Sequence, residues 1–404
     1  MRLPRTFAAF HERDYRLFYA GLVLSQSGTW MERQALLWLI YRLTDDSAAW
    51  LGLAAGVPAI PVLLVSIPAG ALVDRVRVRT VLLATQSLMS LGAIAIAAVV
   101  ATGAVRPWHV LAYAAFASTL FAVDAPARHA FVARLVGPSR ITNAFALNAV
   151  AFQVAQVLGS ALFGVLMVAT DLDEAGCLAL NGVSFGFSLV GLMIIRERVP
   201  DRTGVPHPRT LDGVRHALRS RVIRGALLVS VTTAMFGFQV SQLLPVFAKK
   251  VWEQGADGFA WLRGAMGVGA FVGGVTLATR SDSIRRGPLI RRYGMVVPLG
   301  LLAFAHAPGF ELGLVLLCAV GSLMVQLPSY GSSLIQTKVP DELRGRVSAL
   351  FTLSVLASFP TGGFLAGQIA EHLGAPWTTT VSAVIVGVSY AAVHATHRPL
   401  RDAA

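Results

Sequence analysis

The chain has 404 residues, of which 55% are hydrophobic and only 14% charged, with a mean hydropathy of +0.64. Soluble domains carry about 25% charged residues, so a water-facing surface for a body of this size is excluded, as is a large soluble domain hung on a membrane anchor. The formal charge of +13 raises nucleic acid as a partner, but the basic residues recur at alternate connectors and form no single binding stripe.

In chain order, apolar runs at 15–42, 50–73, 79–102, 107–130, 141–169 and 175–196 predict six spans. Six more follow at 222–248, 256–279, 287–306, 310–337, 345–370 and 376–396. A helix crosses a bilayer with about 20 residues and a barrel strand with about 10. Lipid offers no partner to an open backbone group, so runs of this length must be helical. The predicted fold is an all-α integral membrane protein, twelve transmembrane helices in two six-helix pseudo-symmetric bundles. The bundles occupy 1–196 and 222–404. Between them lies a Pro-rich, basic linker, 197–221, that turns amphipathic from Leu211 to Arg221 as a surface helix does.

With both termini assigned to the cytoplasm, and residues near the ends of spans counted with the adjoining connector, 28 of the 34 Lys and Arg fall on the inner side and five on the outer, Arg33 alone lying deep within a span. Acidic residues divide almost evenly, ten inside and nine outside. A bias confined to Lys and Arg is what the positive-inside rule describes. It predicts contact with anionic membrane lipids and no nucleic-acid partner. The N-terminus lacks a short apolar core before a small-residue cleavage site, so it is expected to be retained. With no organelle-targeting feature, a bacterial cytoplasmic membrane is the expected home.

Cys177 and Cys318 fall in apolar runs and read as small buried hydrophobes. The nine His are scattered without metal-ligand spacing, so no metal, cofactor or enzyme activity is expected. Gly264, Gly267 and Gly269 superficially suggest a nucleotide loop. They lie inside an apolar span, where helix packing explains them.

The two halves repeat short patterns. Pro138-Ser139-Arg140 and Gly159-Ser160-Ala161-Leu162-Phe163-Gly164 have counterparts in Pro340 to Arg344 and in Gly362-Gly363-Phe364-Leu365-Ala366-Gly367, at offsets of 202 and 203. Duplicated parallel halves hold a substrate near the membrane midplane.

Three ionisable residues lie well inside spans, away from their ends: Glu32, Arg33 and Asp124. A charge at the bilayer centre costs at least ~2.5–3.5 kcal/mol, so such groups face a cavity or a partner. At 100° per residue Ser25, Gln26, Thr29, Glu32 and Arg33 share an arc of about 120° on the first span. Glu32, with Arg33 beside it, is the leading proton carrier, and Asp124 is a further proton-coupling candidate. The alternative is a permanent structural pair of Glu32 and Arg33. Asp124 and Arg128 are four apart, so their side chains can meet as part of an inner gate. Gln26, Gln239, Gln242, Gln326 and Tyr330, with Trp30 and Phe236 as aromatic walls, are candidates for a substrate cavity. Each is also able to serve as glue between helices.

The stretch Gly70-Ala71-Leu72-Val73-Asp74-Arg75-Val76-Arg77-Val78-Arg79, between the second and third spans, resembles the signature of the major facilitator superfamily. Gly28-Thr29-Trp30-Met31, Asp124-Ala125-Pro126-Ala127-Arg128 and Val339 to Val347 extend the resemblance to the branch of siderophore exporters and macrolide efflux proteins. The chain departs from the pattern at Arg77 in place of a Gly, at Ala278 in place of the second-half acid, and at Ser160 in place of a Pro. The resemblance implies a cytoplasmic gate built from Gly70, Asp74, Arg75, Arg79, Arg128, Asp341, Arg344 and Arg346. It further implies a monomeric, proton-coupled antiporter that exports a small siderophore- or drug-like molecule by alternating access. Uptake or lipid movement on the same fold is the alternative, and a non-transporting receptor or assembly factor a more distant one.

Overall fold

The computed structural model describes residues 5–137, 140–170, 172–195, 219–280, 286–339 and 341–396, with 215 and 217. Most of the linker helix predicted from Leu211, together with Pro138, Ser139 and Pro340, lies outside them. Among the described residues there is no strand. After a 3-10 segment at Arg5–His11 come α1 Arg13–Leu43, α2 Ala48–Gly56, α3 Ala59–Arg75, α4 Val78–Ala101, α5 Pro107–Leu135, α6 Ile141–Ala169 and α7 Glu174–Ile194. The remainder comprises α8 Arg221–Thr232, α9 Val240–Val246, α10 Gly255–Arg280, α11 Arg286–Ala305, α12 Phe310–Lys338 and α13 Asp341–Thr396.

Nine helical stretches among the described residues are long and apolar enough to cross a membrane. One of them, Ala357–Ala395, runs through Gly374, whose φ of 76° folds the chain between the predicted eleventh and twelfth spans. Two predicted spans fall short of that apolarity. α1 carries the polar stripe, and α11 offers only the shorter apolar stretch Gly294–Ala305. The arrangement agrees with twelve crossings.

Local chemistry explains many of the boundaries. Pro107 opens α5, where its missing N–H costs nothing. The Asp173 carboxylate caps α7 by accepting from Gly176 N at 3.1 Å. Pro58 separates α2 from α3 because it has no N–H to continue the ladder.

The contacts gather the chain into two units. One is Met1–Asp45 with Val57–Gly204, and the other is Asp46–Gly56 with Val205–Ala404. In the first, α1 packs on α6 and α7, and α5 packs on α3 and α4. Tyr15, Phe18, Phe131, Val132, Leu147 and Leu192 form a core at one end of this unit, where the Tyr15 hydroxyl donates to Ala144 O at 2.9 Å. Arg42 on α1 holds Glu174 on α7 by two hydrogen bonds, at 3.1 and 3.2 Å.

In the second unit α10 packs on α12, and α13 packs on α11 and on α2. The start of α2 is fixed by Glu371 of α13, which accepts from Ser47 Oγ at 3.0 Å and Ala49 N at 2.9 Å. The carboxylate thereby does the work of an N-cap. Lys249 adds an ion pair to Asp46 at 2.7 Å. Both units turn large apolar side chains outward, among them Leu63, Leu64, Phe187, Val183, Leu299 and Val315. Such a surface in water would be an aggregation patch; a chain that spans a bilayer presents surfaces of this kind to lipid.

Candidate functional site

The site in the first unit grows from the polar stripe of α1. Most of its hydroxyls are consumed by their own helix: Ser25 Oγ donates to Leu22 O, Ser27 Oγ to Val23 O and Thr29 Oγ1 to Ser25 O. Such back-bonding satisfies the hydroxyl without a neighbour. Glu32 and Gln26 remain, and other helices supply their partners.

Glu32 is 5% exposed. Its Oε2 accepts from the Tyr113 hydroxyl of α5 at 2.8 Å and from Asn181 Nδ2 of α7 at 2.6 Å. Its Oε1 has no hydrogen-bond partner, and no cation pairs with the carboxylate, among the described residues. Arg33 does not bind it. The guanidinium carbon stands 5.2 Å from the Trp30 ring centroid instead, a cation–π placement. Neighbouring helical residues point about 100° apart, which accounts for the failure of the pair expected between positions 32 and 33. Gly28, one turn earlier, lets α7 come this close, since a Cβ there would overlap Asn181 Oδ1 and Ser184 Oγ.

A second buried group lies eleven residues further along α5. Eleven residues are three helical turns, about 16 Å of rise, and return to nearly the same face. Asp124 is fully buried. Its Oδ1 accepts from Thr85 Oγ1 at 3.0 Å and Gln86 Nε2 at 2.8 Å, both on α4. Its Oδ2 is paired with Arg128, one turn on. With its amide oxygen turned inward, Gln26 of α1 accepts from Arg128 Nη1 at 2.6 Å. Asp124 and Arg128 therefore neutralise each other inside a five-residue network spanning α1, α4 and α5.

Of the predicted gate residues, Arg79 donates from Nη2 to Met193 O at 2.7 Å, placing a cation on the last turn of α7 where free carbonyls favour one. Arg75 is exposed at the end of α3. No atom stands within 4 Å of the place a Cβ on Gly70 would take, so close helix approach does not explain that glycine within the described residues. The side chains of Asp74, Tyr330, Asp341, Arg344 and Arg346 lie outside the described set.

Among the cavity candidates, Trp30 packs edge-on against Phe152 with centroids 5.5 Å apart. Gln326 donates to Ser322 O and Oγ on its own helix. Phe236, Gln239 and Gln242 come together in the seventh predicted span, where helical order breaks. Tyr113, Asn181, Thr85 and Gln86 were not anticipated. The available signal was an Asn and a Tyr within apolar runs, with Tyr113 on the same face as Asp124.

The chain matches the family described as transmembrane secretion effector over residues 5–404. It is 27% identical over 256 residues to the enterobactin exporter EntS of Escherichia coli O1:K1, covering 63% of this chain and 59% of that protein. Against the enterobactin exporter EntS of Salmonella choleraesuis it is 29% identical over 262 residues, covering 63% of this chain and 60% of the other. The chain thus spans about 60% of the length of these curated relatives. Among solved structures, a bacterial homolog of the human lysosomal transporter Spinster superposes with a TM-score of 0.75 at 13% identity, covering 96% of this chain and 98% of the other. The nucleoside transporter NupG gives 0.73 at 14%, covering 96% and 99%. The D-xylose-proton symporter gives 0.69 at 14%, covering 93% and 97%.

Proposed function

We propose that this chain, which belongs to the transmembrane secretion effector family of the major facilitator superfamily, exports a small organic molecule in exchange for protons, with Glu32 as the proton carrier. The observation that carries the reading is the contrast between two buried carboxylates. Asp124 has Arg128 as its counter-ion, so adding a proton would break a satisfied pair. Glu32 has two neutral donors and no cation among the described residues. A buried carboxylate without a counter-ion is relieved by taking a proton. With both donors on Oε2, the proton is taken at Oε1.

In this reading Tyr113 and Asn181 hold the carboxylate in place through both of its states, and Arg33 stabilises Trp30 without setting the charge of Glu32. The Asp124–Arg128 network serves as a rigid pin or inner gate. Arg75 and Arg79, with Asp74, Asp341, Arg344 and Arg346, remain proposed gate residues on the strength of the family resemblance. The protein would work as a monomer in a bacterial cytoplasmic membrane with both termini inside. The relatives named as enterobactin exporters make a siderophore the first cargo to test.

Proteoliposomes carrying the full chain and an interior pH dye give the test. Addition of enterobactin to wild type is expected to move protons across the membrane, and Glu32→Gln is expected to abolish that movement. Full gradient-driven transport by Glu32→Gln, with an unchanged pH dependence, would sink the assignment.

A further inference from the structure

The seventh predicted span ends on irregular backbone. A first π-helical segment, Thr233–Gly237, widens it early, and a second, Phe247–Val251, closes it, with Trp252 N donating to Phe247 O at 3.0 Å. The second segment carries two lysines. Adjacent helical residues face different ways, and these two have different fates. Lys249 pairs at 2.7 Å with Asp46, just ahead of α2. Lys250 is exposed, and among the described residues its ammonium makes no hydrogen bond and no ion pair within 4 Å.

Lys250 lines a cavity of about 280 Å³ together with Ala48 of α2 and Glu371, Gly374 and Pro376 of α13, all within the second unit. Glu371 is exposed as well, so the cavity opens at the surface. At Gly374 the space is free: a Cβ there would meet only Pro376 Cδ, at 3.9 Å. The Glu371 carboxylate feels the charge of Lys250, yet among the described residues the two do not close into an ion pair. Its bonds from Ser47 and Ala49 both end on Oε2, which leaves Oε1 with lone pairs to spare. Two opposite charges thus share one cavity without meeting. A single small molecule completes both only if it carries an ammonium and an anion of its own. Sites that enclose a drug-sized molecule measure about 300–1,000 Å³, so this one suits a small polar head better than a bulky cargo.

The level of the cavity points to the source of that molecule. Lys250 and Glu371 lie just past the ends of the predicted spans 222–248 and 345–370, which is headgroup depth. Beside the cavity, Leu373 is exposed before the turn at Gly374, and Trp377, Val381, Val384 and Val388 are exposed after it. Their spacing of three and four residues keeps the last four on one helix face. A Trp at the head of such a stripe marks the membrane–water interface, and the valines below it offer a track for an acyl chain. We propose that the cavity binds the phosphoethanolamine headgroup of a membrane lipid, with its phosphate at Lys250, its ammonium at Glu371 Oε1 and an acyl chain along Trp377 to Val388. Both contacts are charge-assisted hydrogen bonds. Because Glu371 also caps α2, an occupied site holds that cap in place. Neither the cargo nor Glu32 enters the inference.

Dioleoyl phosphatidylethanolamine and dioleoyl phosphatidylcholine differ only in the methyls on nitrogen, which remove its N–H donors. Native mass spectrometry of the delipidated full chain in detergent is expected to show the first bound about fivefold more tightly, the size of one net hydrogen bond. Glu371→Gln, whose amide oxygen can still accept from Ser47 and Ala49, is expected to bring that ratio to about one. Lys250→Met removes a cation with no partner in the fold and is expected to weaken both lipids alike, by about fivefold. A phosphatidylethanolamine with a diazirine on its acyl chain should label the stretch 377–388. Glycerophosphoethanolamine, the same headgroup without acyl chains, should fail to compete at equal concentration. The proposal is overturned if wild type shows no preference, if Glu371→Gln keeps it, if Lys250→Met binds both lipids like wild type, or if 377–388 stays unlabelled. Competition by the soluble headgroup as strong as by the lipid would also overturn it, in favour of a free zwitterion.

Discussion

Asp124 and Arg128 show what a buried charge requires at the level of single residues. The carboxylate is fully buried, yet both its oxygens are used: one by Thr85 and Gln86, the other by Arg128. Removing one member of such a pair strands the other, which costs about 3–5 kcal/mol, whereas removing both charges is often close to neutral. Arg128→Met alone is therefore expected to destabilise the protein by about 3–5 kcal/mol, and Asp124→Asn with Arg128→Met to recover most of that loss. A double-mutant cycle on detergent unfolding measures the coupling. Additive single costs would mean that the pair is solvated. The i,i+4 spacing made this contact readable in the sequence. The pairing of Glu32 was not readable, because Tyr113 and Asn181 lie 81 and 149 residues away and reach it only through the packing of α5 and α7 on α1.

Between whole elements, the duplicated pattern in the sequence acquires a shared mechanical role. Gly159 of α6 meets the backbone of α1, where a Cβ would overlap Ser27 O. Its counterpart Gly362 of α13 meets the backbone of the seventh span in the same manner at Met235 O. In each unit one glycine thus sets how near the fifth helix of the repeat comes to the first, and the repeat is structural at that point as well as textual. The break in the second span at Pro58 and the two π segments in the seventh had no comparable signature. Pro58 and Pro245 were visible, but whether a proline bends, breaks or is absorbed depends on which neighbour takes the freed carbonyl, as Arg263 does for Ser241. Because backbone cannot retreat as a side-chain tip can, Gly159→Ala and Gly362→Ala are each expected to cost about 1–3 kcal/mol. Gly264→Ala, where no atom lies within 4 Å, is expected to be neutral or to gain up to about 1 kcal/mol from helix propensity. Thermal midpoints of the three purified variants compare them directly. Equal midpoints would show that helix approach is not limited at these glycines.

At the scale of the whole molecule, hydropathy carried most of the fold, because lipid as a solvent leaves long apolar runs no conformation but the helix. The predicted span 141–169 coincides with α6, and most other boundaries fall within a few residues. Orientation is a different matter, since a helical bundle has the same helices whichever way it faces. It rests on the Lys and Arg bias, 28 inner against five outer. A bias of that size acts during insertion, when basic connectors are retained on the cytoplasmic side. The two native cysteines are poor reporters: Cys177 is buried and Cys318 half-buried within spans. His11, exposed before α1, and Ala104, exposed between α4 and α5, lie on opposite sides in the proposed topology. Ala104→Cys is accordingly expected to react with a membrane-impermeant maleimide in intact cells, and His11→Cys only after the membrane is permeabilised. The reverse pattern would invert the protein, turn the proposed export into uptake, and leave the basic connectors without their physical explanation.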